Sequence, residues 1–406
     1  MASQPSEKLA RWRWWLWVGI ASQAAILPSA AIELTIAEEN GLRAAKQGAV
    51  VMLEDFLRTR AELPLVPIQI TDDHGPQFLL SDLPEYFLTG DGIALQEEVK
   101  PGLVRLYLYH VPEPAAAGKT ISAVIENLGN QAMELRFIHY AFPAPSADYQ
   151  RTAKRALMEF FTSQPEKSGR RILPGIRATL DPKMDKVVVT RDQLVHGFYE
   201  FEVDQPARIT VFQRDPNQAS LGIIDKLPKL PRAAPGKTKG SGAGRGLFPS
   251  GNFSVTNNPG YVLDTANGAM QLIVADGKQD PWIRGRDGLD GAETRDAGNY
   301  GVLYRIRVTR ASSDGRGLAL LMCKIGANSR WCGKLAAAVQ VSGGVWKSGA
   351  VALPAEQPSF GASGEAALIQ KFAPLPKGQT ETIEVIYSPP GAACIPTPLV
   401  FVPYRP

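Results

Sequence analysis

Val104-Arg105-Leu106-Tyr107-Leu108-Tyr109-His110 alternates without a break. Val104, Leu106, Leu108 and His110 point one way, and Arg105, Tyr107 and Tyr109 the other. A period of two over this length predicts a half-buried strand. Ile121 to Asn127 and Ala132 to Tyr140 repeat the signal on either side of Leu128-Gly129-Asn130-Gln131. Gly129 and Asn130 take positive φ cheaply, so a hairpin is expected there. On the returning strand Met133, Leu135 and Phe137 share a face, opposite Glu134 and Arg136. The expectation is a sheet with one side on a core and one side wet.

The period then changes. Pro143 and Pro145 stop the strand. Ser146 is the expected N-cap, and Asp148 adds negative charge to the first turn. Ala153, Ala156, Leu157, Phe160 and Phe161 form one apolar stripe, with Arg151, Lys154, Arg155 and Glu159 assigned to the other side. An amphipathic helix over about 146–163 is predicted. Because a short helix is marginal alone, it must pack, and the adjacent sheet is the expected partner.

The chain has 406 residues and a net charge of +4. Part of the basic excess sits at the N-terminus (Lys8, Arg11, Arg13), and part in an acid-free stretch with Lys226, Lys229, Arg232, Lys237, Lys239 and Arg245. That distribution, with no recognition-helix, zinc-finger or RNA-binding motif, argues against nucleic acid as a partner. The N-terminal cations, the apolar run Trp14 to Leu27 and the small residues Ser29-Ala30-Ala31 have the pattern of a secretory signal peptide over 1–31. An uncleaved anchor is the competing reading, and Pro28 and Gln23 favour cleavage. No other segment is apolar enough to span a membrane.

Further strands are expected at Ile32 to Ala37, Ala49 to Leu53, Leu65 to Thr71 (an edge strand, from its prolines), Val187 to Thr190, Val195 to Val203 and Arg208 to Phe212. Pro228 to Gly246 mixes Pro, Gly, Lys and Ser and reads as a linker. Beyond it lie Tyr261 to Asp264 and Met270 to Ala275, predicted to pair around Asn267-Gly268. Strands at 304–308, 318–322, 336–341, 382–387 and 399–404 follow. The sequence thus predicts a mainly β protein: an N-terminal β-sandwich or jelly-roll-like domain (32–226) carrying one helix, a linker (227–247) and a C-terminal β domain (248–406).

Several constellations compete as sites. His110 and His139 each end a strand on its apolar face and would bind a metal if those strands paired. Asp72-Asp73-His74 or His196 would supply more ligands, and two rim histidines are the alternative. Asp287, Asp290 and Glu293, with Asp280 and Asp296 nearby, suit calcium. However, Arg284, Arg286 and Arg295 interleave and would pair with the acids instead. Trp282, Trp331 and Trp346 with Tyr300 and Tyr261 would make a sugar-stacking platform, or would pack in cores. Cys323 and Cys332 suit a disulfide across residues 324–331, with Cys394 unpaired or replacing one partner.

No G-x-S-x-G, HExxH or P-loop occurs. A carboxylate pair for glycoside hydrolysis needs only two acids, for which Glu98, Glu126 and Asp287 are candidates.

The run Val104 to His110, then Val124-Ile125-Glu126-Asn127, Pro145-Ser146-Ala147-Asp148-Tyr149 and Gly298-Asn299-Tyr300-Gly301-Val302 resembles a family of uncharacterised exported proteins of Gram-positive bacteria. Members often carry a small module named after the copper amine oxidase N-terminal domain, which this chain lacks. The resemblance implies envelope location and no particular chemistry. The expected function is a secreted or cell-surface, non-catalytic protein binding wall polymer, polysaccharide or a surface protein. A carboxylate-pair hydrolase and a structural subunit of an extracellular assembly are the alternatives.

Overall fold

The alternating strand, Gly102–His110, lies inside an eight-stranded sheet, and both of its faces are covered. The computed structural model describes residues 32–88, 90–232, 242–324 and 333–406. The leader lies outside them. In spatial order that sheet runs Glu293–Arg295, Arg284–Arg286, Arg245–Phe248, Gln77–Ser81, Gly102–His110, Val195–Val203, Met133–Ala141 and Arg170–Ile172. On one face Leu79, Val104, Leu106, Leu108, Met133 and Leu135 pack against a four-stranded sheet of Gly92–Val99, Ala207–Arg214, Thr120–Asn127 and Arg177–Thr179. This pair is the expected sandwich.

Behind Gly102–His110 the other face is not wet, although Glu134 and Arg136 keep it open to solvent at Met133–Ala141, as expected. Arg105 and Tyr107 are buried, and Tyr107, Tyr109 and Phe198 join a second core with residues of two further sheets. One is five-stranded (Val50–Met52, Glu365–Phe372, Gly317–Cys323, Leu399–Tyr404, Met270–Leu272). The other is built on Ile68–Asp72, Asn252–Asn257, Leu303–Ala311, Glu381–Tyr387, Ala337–Ser342 and Gly349–Leu353. The fold is mainly β, in several sheets.

Strand pairing runs across the 227–247 segment. Arg245–Phe248 pairs with Gln77–Ser81, Asn252–Asn257 with Ile68–Asp72, and Glu365–Phe372 with Val50–Met52. Residues 32–406 form one compact unit.

The helix forms at Tyr149–Thr162. Its N-cap is Asp148 rather than Ser146, because the Asp148 carboxylate accepts from the Arg151 N–H at 3.0 Å. Ala156, Leu157 and Phe160 are buried, and Phe160 stacks on Phe198 with ring centroids 4.0 Å apart. Besides the expected sheet the helix also packs on Ala337–Ser342 and Gly349–Leu353. Lys154, assigned to the polar side, is therefore buried, and its ammonium donates to the Pro354 and Gln357 carbonyls at 2.7 and 2.6 Å.

Other local expectations fail where the chain changes sheets. Thr120–Asn127 and Met133–Ala141 are not a hairpin; they belong to opposite layers of the sandwich. The Asn127 side chain shapes the crossing, accepting from the Gly129 N–H at 2.9 Å and donating to the Gln131 and Ile172 carbonyls. Val195–Val203 and Ala207–Arg214 part in the same way, although each forms where expected. Leu263–Asp264 and Met270–Leu272 pair with Leu303–Ala311 and Leu399–Tyr404, not with each other.

Ile32 to Ala37 is not a strand. Thr35 and Glu38 make a capping box that starts a helix at Ile36–Ala44. Val187 to Thr190 holds only an isolated bridge at Val189. Cys323 has a free thiol, buried within Gly317–Cys323, where burial pushes it up to about 12, so the Cys323–Cys332 disulfide is not formed. Cys332 lies outside the described residues.

Candidate functional site

Tyr107 and Tyr109, from the strand face that was expected to be wet, form the floor of a cavity of about 270 Å³. Asp82 and Glu85 line it from the loop after Gln77–Ser81, with Gly242, Ala243, Ala297, Tyr300 and the turn at 391–393 completing the wall. These residues come from five separate places in the chain.

The acidic loop is held from behind. His110 is fully buried, with Ser81 Oγ 2.7 Å from Nε2 and the Pro84 carbonyl 2.9 Å from Nδ1. A carbonyl only accepts, so Nδ1 carries the proton and Nε2 accepts from Ser81. Burial lowers the imidazole to about 4, keeping it neutral. This Ser–His contact has no access to solvent and no carboxylate behind it, so it positions the loop rather than activating a nucleophile. Asp82 in turn fastens the segment beyond residue 241. Its Oδ2 accepts from the Ala243 N–H at 2.6 Å, and its own N–H donates to the Gly244 carbonyl. Gly242 sits at φ +121°, and a Cβ there would lie 1.7 Å from the Asp82 carbonyl oxygen. Only glycine fits.

Asp82 Oδ1 and the Tyr107 hydroxyl are buried at the cavity and have no hydrogen-bond partner among the described residues. The buried Asp296 carboxylate lies behind Ala297, outside the lining, with the Tyr300 N–H facing it. A Cβ on Gly391, in the cavity wall, would come within 2.7 Å of the Tyr107 hydroxyl. That glycine thus leaves the hydroxyl its room. Buried groups of this kind are usually bonded, and each exception calls for an explanation. Tyr300, by contrast, donates to the Ala393 carbonyl at 2.7 Å and ties the 391–393 turn in place.

Burial, with Glu85 and Asp296 nearby, holds Asp82 well above the usual carboxylate range. Asp296 is raised by burial too. Glu85 is pushed up to about 7, by burial first and then by Asp192. The stability carried by protonated Glu85 is therefore full below 4.5 and is lost as pH rises through about 7. Glu85→Gln stays neutral throughout. Its stability relative to the native protein is expected to climb between pH 4.5 and 7 and then level off. Denaturant unfolding of both proteins at a series of pH values checks this, and parallel curves would contradict the assignment.

The residues expected to form sites are elsewhere. His110 and His139 lie on strands that flank Val195–Val203 from opposite sides. They face Val195 and Glu200, about 17 Å apart along that strand at ~3.3 Å per residue. His139 rests on Phe160 and meets Ser163 at 3.3 Å. His196 is buried and bonded to the Leu108 carbonyl.

Asp287, Asp290 and Glu293 are engaged by arginines. Asp287 Oδ2 lies 2.7 Å from Arg245 and 3.1 Å from Arg232, Asp290 is bound by Arg232, and Glu293 by Arg284. Among the described residues no group of three or more His, Cys, Asp or Glu is placed to hold a metal ion.

Trp282, Trp346 and Tyr300 do not share a face. Trp282 bonds to the Ala275 carbonyl under Arg295, Trp346 is half-buried against the edge of the core of the five-stranded sheet, and Tyr300 is in the cavity. Trp331 lies outside the described residues.

Among the hydrolase candidates, Glu126 binds Arg177 and Arg208, and Glu98 binds Arg208. Asp82, Glu85 and Tyr107 were missed, and Asp296 was expected beside a calcium loop rather than behind this cavity. Their only sequence signal was a strand face carrying two tyrosines beside an arginine.

No family model matches the chain, and no curated protein is significantly similar to it.

Proposed function

We propose that the protein is exported and holds part of a surface polymer in the cavity lined by Asp82, Glu85 and Tyr300. The observation that carries this reading is the pair of buried, unpartnered polar atoms at the cavity, Asp82 Oδ1 and the Tyr107 hydroxyl. A folded chain leaves such atoms bare at a cost of about 1–3 kcal/mol each, which a ligand's hydrogen bonds recover. The signal-peptide pattern over 1–31 and the resemblance to exported proteins support export. The disulfide that suits an exported chain then falls on Cys394, since Cys323 is buried as a thiol. Among the described residues no helix is long and apolar enough to cross a membrane.

The purified protein is expected to be retained on insoluble cell wall or polysaccharide. Ala297→Leu, which fills the cavity from its half-buried rim without changing a charge, is expected to abolish retention. Equal retention of the variant, or no retention of either protein, would count against the reading.

A second reading is favoured by Glu85. A carboxyl group raised to about 7 holds its proton in a large share of molecules at neutral pH and can give it to a leaving oxygen, with Asp82, which also lines the cavity, becoming the second carboxylate only once it ionises. This is a carbohydrate hydrolase. Release of reducing ends from the retained polymer, lost in Glu85→Gln, separates it from binding alone.

A further inference from the structure

The charge around the cavity is one-sided. Asp82 and Glu85 line it and Asp296 lies just behind, while no Lys, Arg or His is among the described residues that do so. The remaining lining is phenol rings and the backbone of glycines and alanines. Arg245, whose field reaches His110, is already paired with Asp287. Buried acids without a counter-charge are rare in folded proteins.

We propose that the cavity takes a primary ammonium group carried by the surface polymer, seated between the Asp82 and Glu85 carboxylates and against the rings of Tyr107, Tyr109 and Tyr300. This rests on the reading of the cavity as the binding site.

A neutral hydroxyl would satisfy Asp82 Oδ1 but could not pair with either acid once it ionises. An ammonium brings three N–H donors and the missing charge. Its donors match Asp82 Oδ1 and Glu85, and a tyrosine hydroxyl accepts from it as readily as from water. Aromatic faces stabilise a desolvated cation further. The volume, about 270 Å³, suits one sugar residue or one side chain rather than a length of polymer. The protonated state of the empty site follows from the same imbalance. Burial raises Asp82, Glu85 and Asp296 above the usual carboxylate range, with Glu85 and Asp296 adding to it at Asp82 and Asp192 at Glu85. A cation must then displace protons as it binds.

Calorimetric titration at pH 6, in two buffers of different ionisation enthalpy, tests this. The probes are a glucosamine tetramer, its N-acetylated twin and trilysine. An ammonium-bearing probe is expected to bind at least about tenfold more tightly than the N-acetylated sugar, with proton release. Asp82→Asn and Glu85→Gln are each expected to weaken it about tenfold. Tighter binding of the glucosamine tetramer assigns an amino sugar, and tighter binding of trilysine a peptide amine.

Equal or tighter binding of the N-acetylated twin, absence of proton release, or indifference to both variants would overturn the proposal. If no probe binds while retention on cell wall is still lost in Ala297→Leu, the ammonium assignment falls and the cavity stands. If Ala297→Leu is retained, the cavity itself is misassigned.

Discussion

Arg105→Met is expected to destabilise the protein by about 3–5 kcal/mol, the usual cost of breaking a buried ion pair from one side. Arg105 is fully buried, and all five of its N–H donors are used. Nε and Nη2 bond Glu200 at 2.9 and 2.5 Å, Nη2 also bonds Asn252 at 2.7 Å, and Nη1 reaches the Gly251 and Gly301 carbonyls. One guanidinium thus joins two neighbouring strands of the eight-stranded sheet to the start of Asn252–Asn257 in another sheet. Removing it strands the Glu200 carboxylate and takes a donor from the Gly251 and Gly301 carbonyls, of which Gly251 keeps the Leu303 N–H. Adding Glu200→Leu removes the unpaired charge, so the double variant is expected to recover part of the loss. Urea unfolding with fitted slopes measures both. A single-variant cost below about 1 kcal/mol would mean that the guanidinium does not tie the sheets together.

Asp287→Ala is expected to have a similar effect, for a different reason. Asp287 is buried and gives Arg245, itself buried, its carboxylate partner; among the described residues the one other bond on that guanidinium is to the Leu230 carbonyl. Its loss leaves a buried cation without its ion-pair partner, at a cost of about 3–5 kcal/mol. Asp290→Ala, at an exposed bridge three residues on, should cost no more than about 1 kcal/mol. Millimolar calcium should leave both melting curves where they are, because arginines hold the oxygens it would need. Thermal unfolding with and without calcium distinguishes these cases. A calcium-dependent rise in Tm that Asp287→Ala abolishes would restore the metal reading.

The elements were largely legible in the sequence, while their partners were not. Alternation at 104–110, 195–203 and 304–308 located strands, and the apolar stripe at 153–161 located the helix, because these are local signals. The hairpins at 128–131 and 267–268 were misjudged because Asn and Gly make a turn whether the chain returns to the same sheet or crosses to another. The face carrying Arg105, Tyr107 and Tyr109 looked solvated because amphipathic side chains suit water and a polar interior equally. That one ambiguity hid both the second core and the cavity. Asp82, Glu85, Asp296 and the 391–393 turn meet only through strand pairings that span most of the chain, and no spacing in the sequence records such a meeting.

The eight-stranded sheet, covered on both faces at Gly102–His110 and stitched from residues on either side of position 227, also limits how such a protein can change. Neither end of the chain is a portable cassette. A gene truncated near that position would encode strands whose inner surface has nothing to lean on, so rearrangements that shuffle self-sufficient modules would find no seam here.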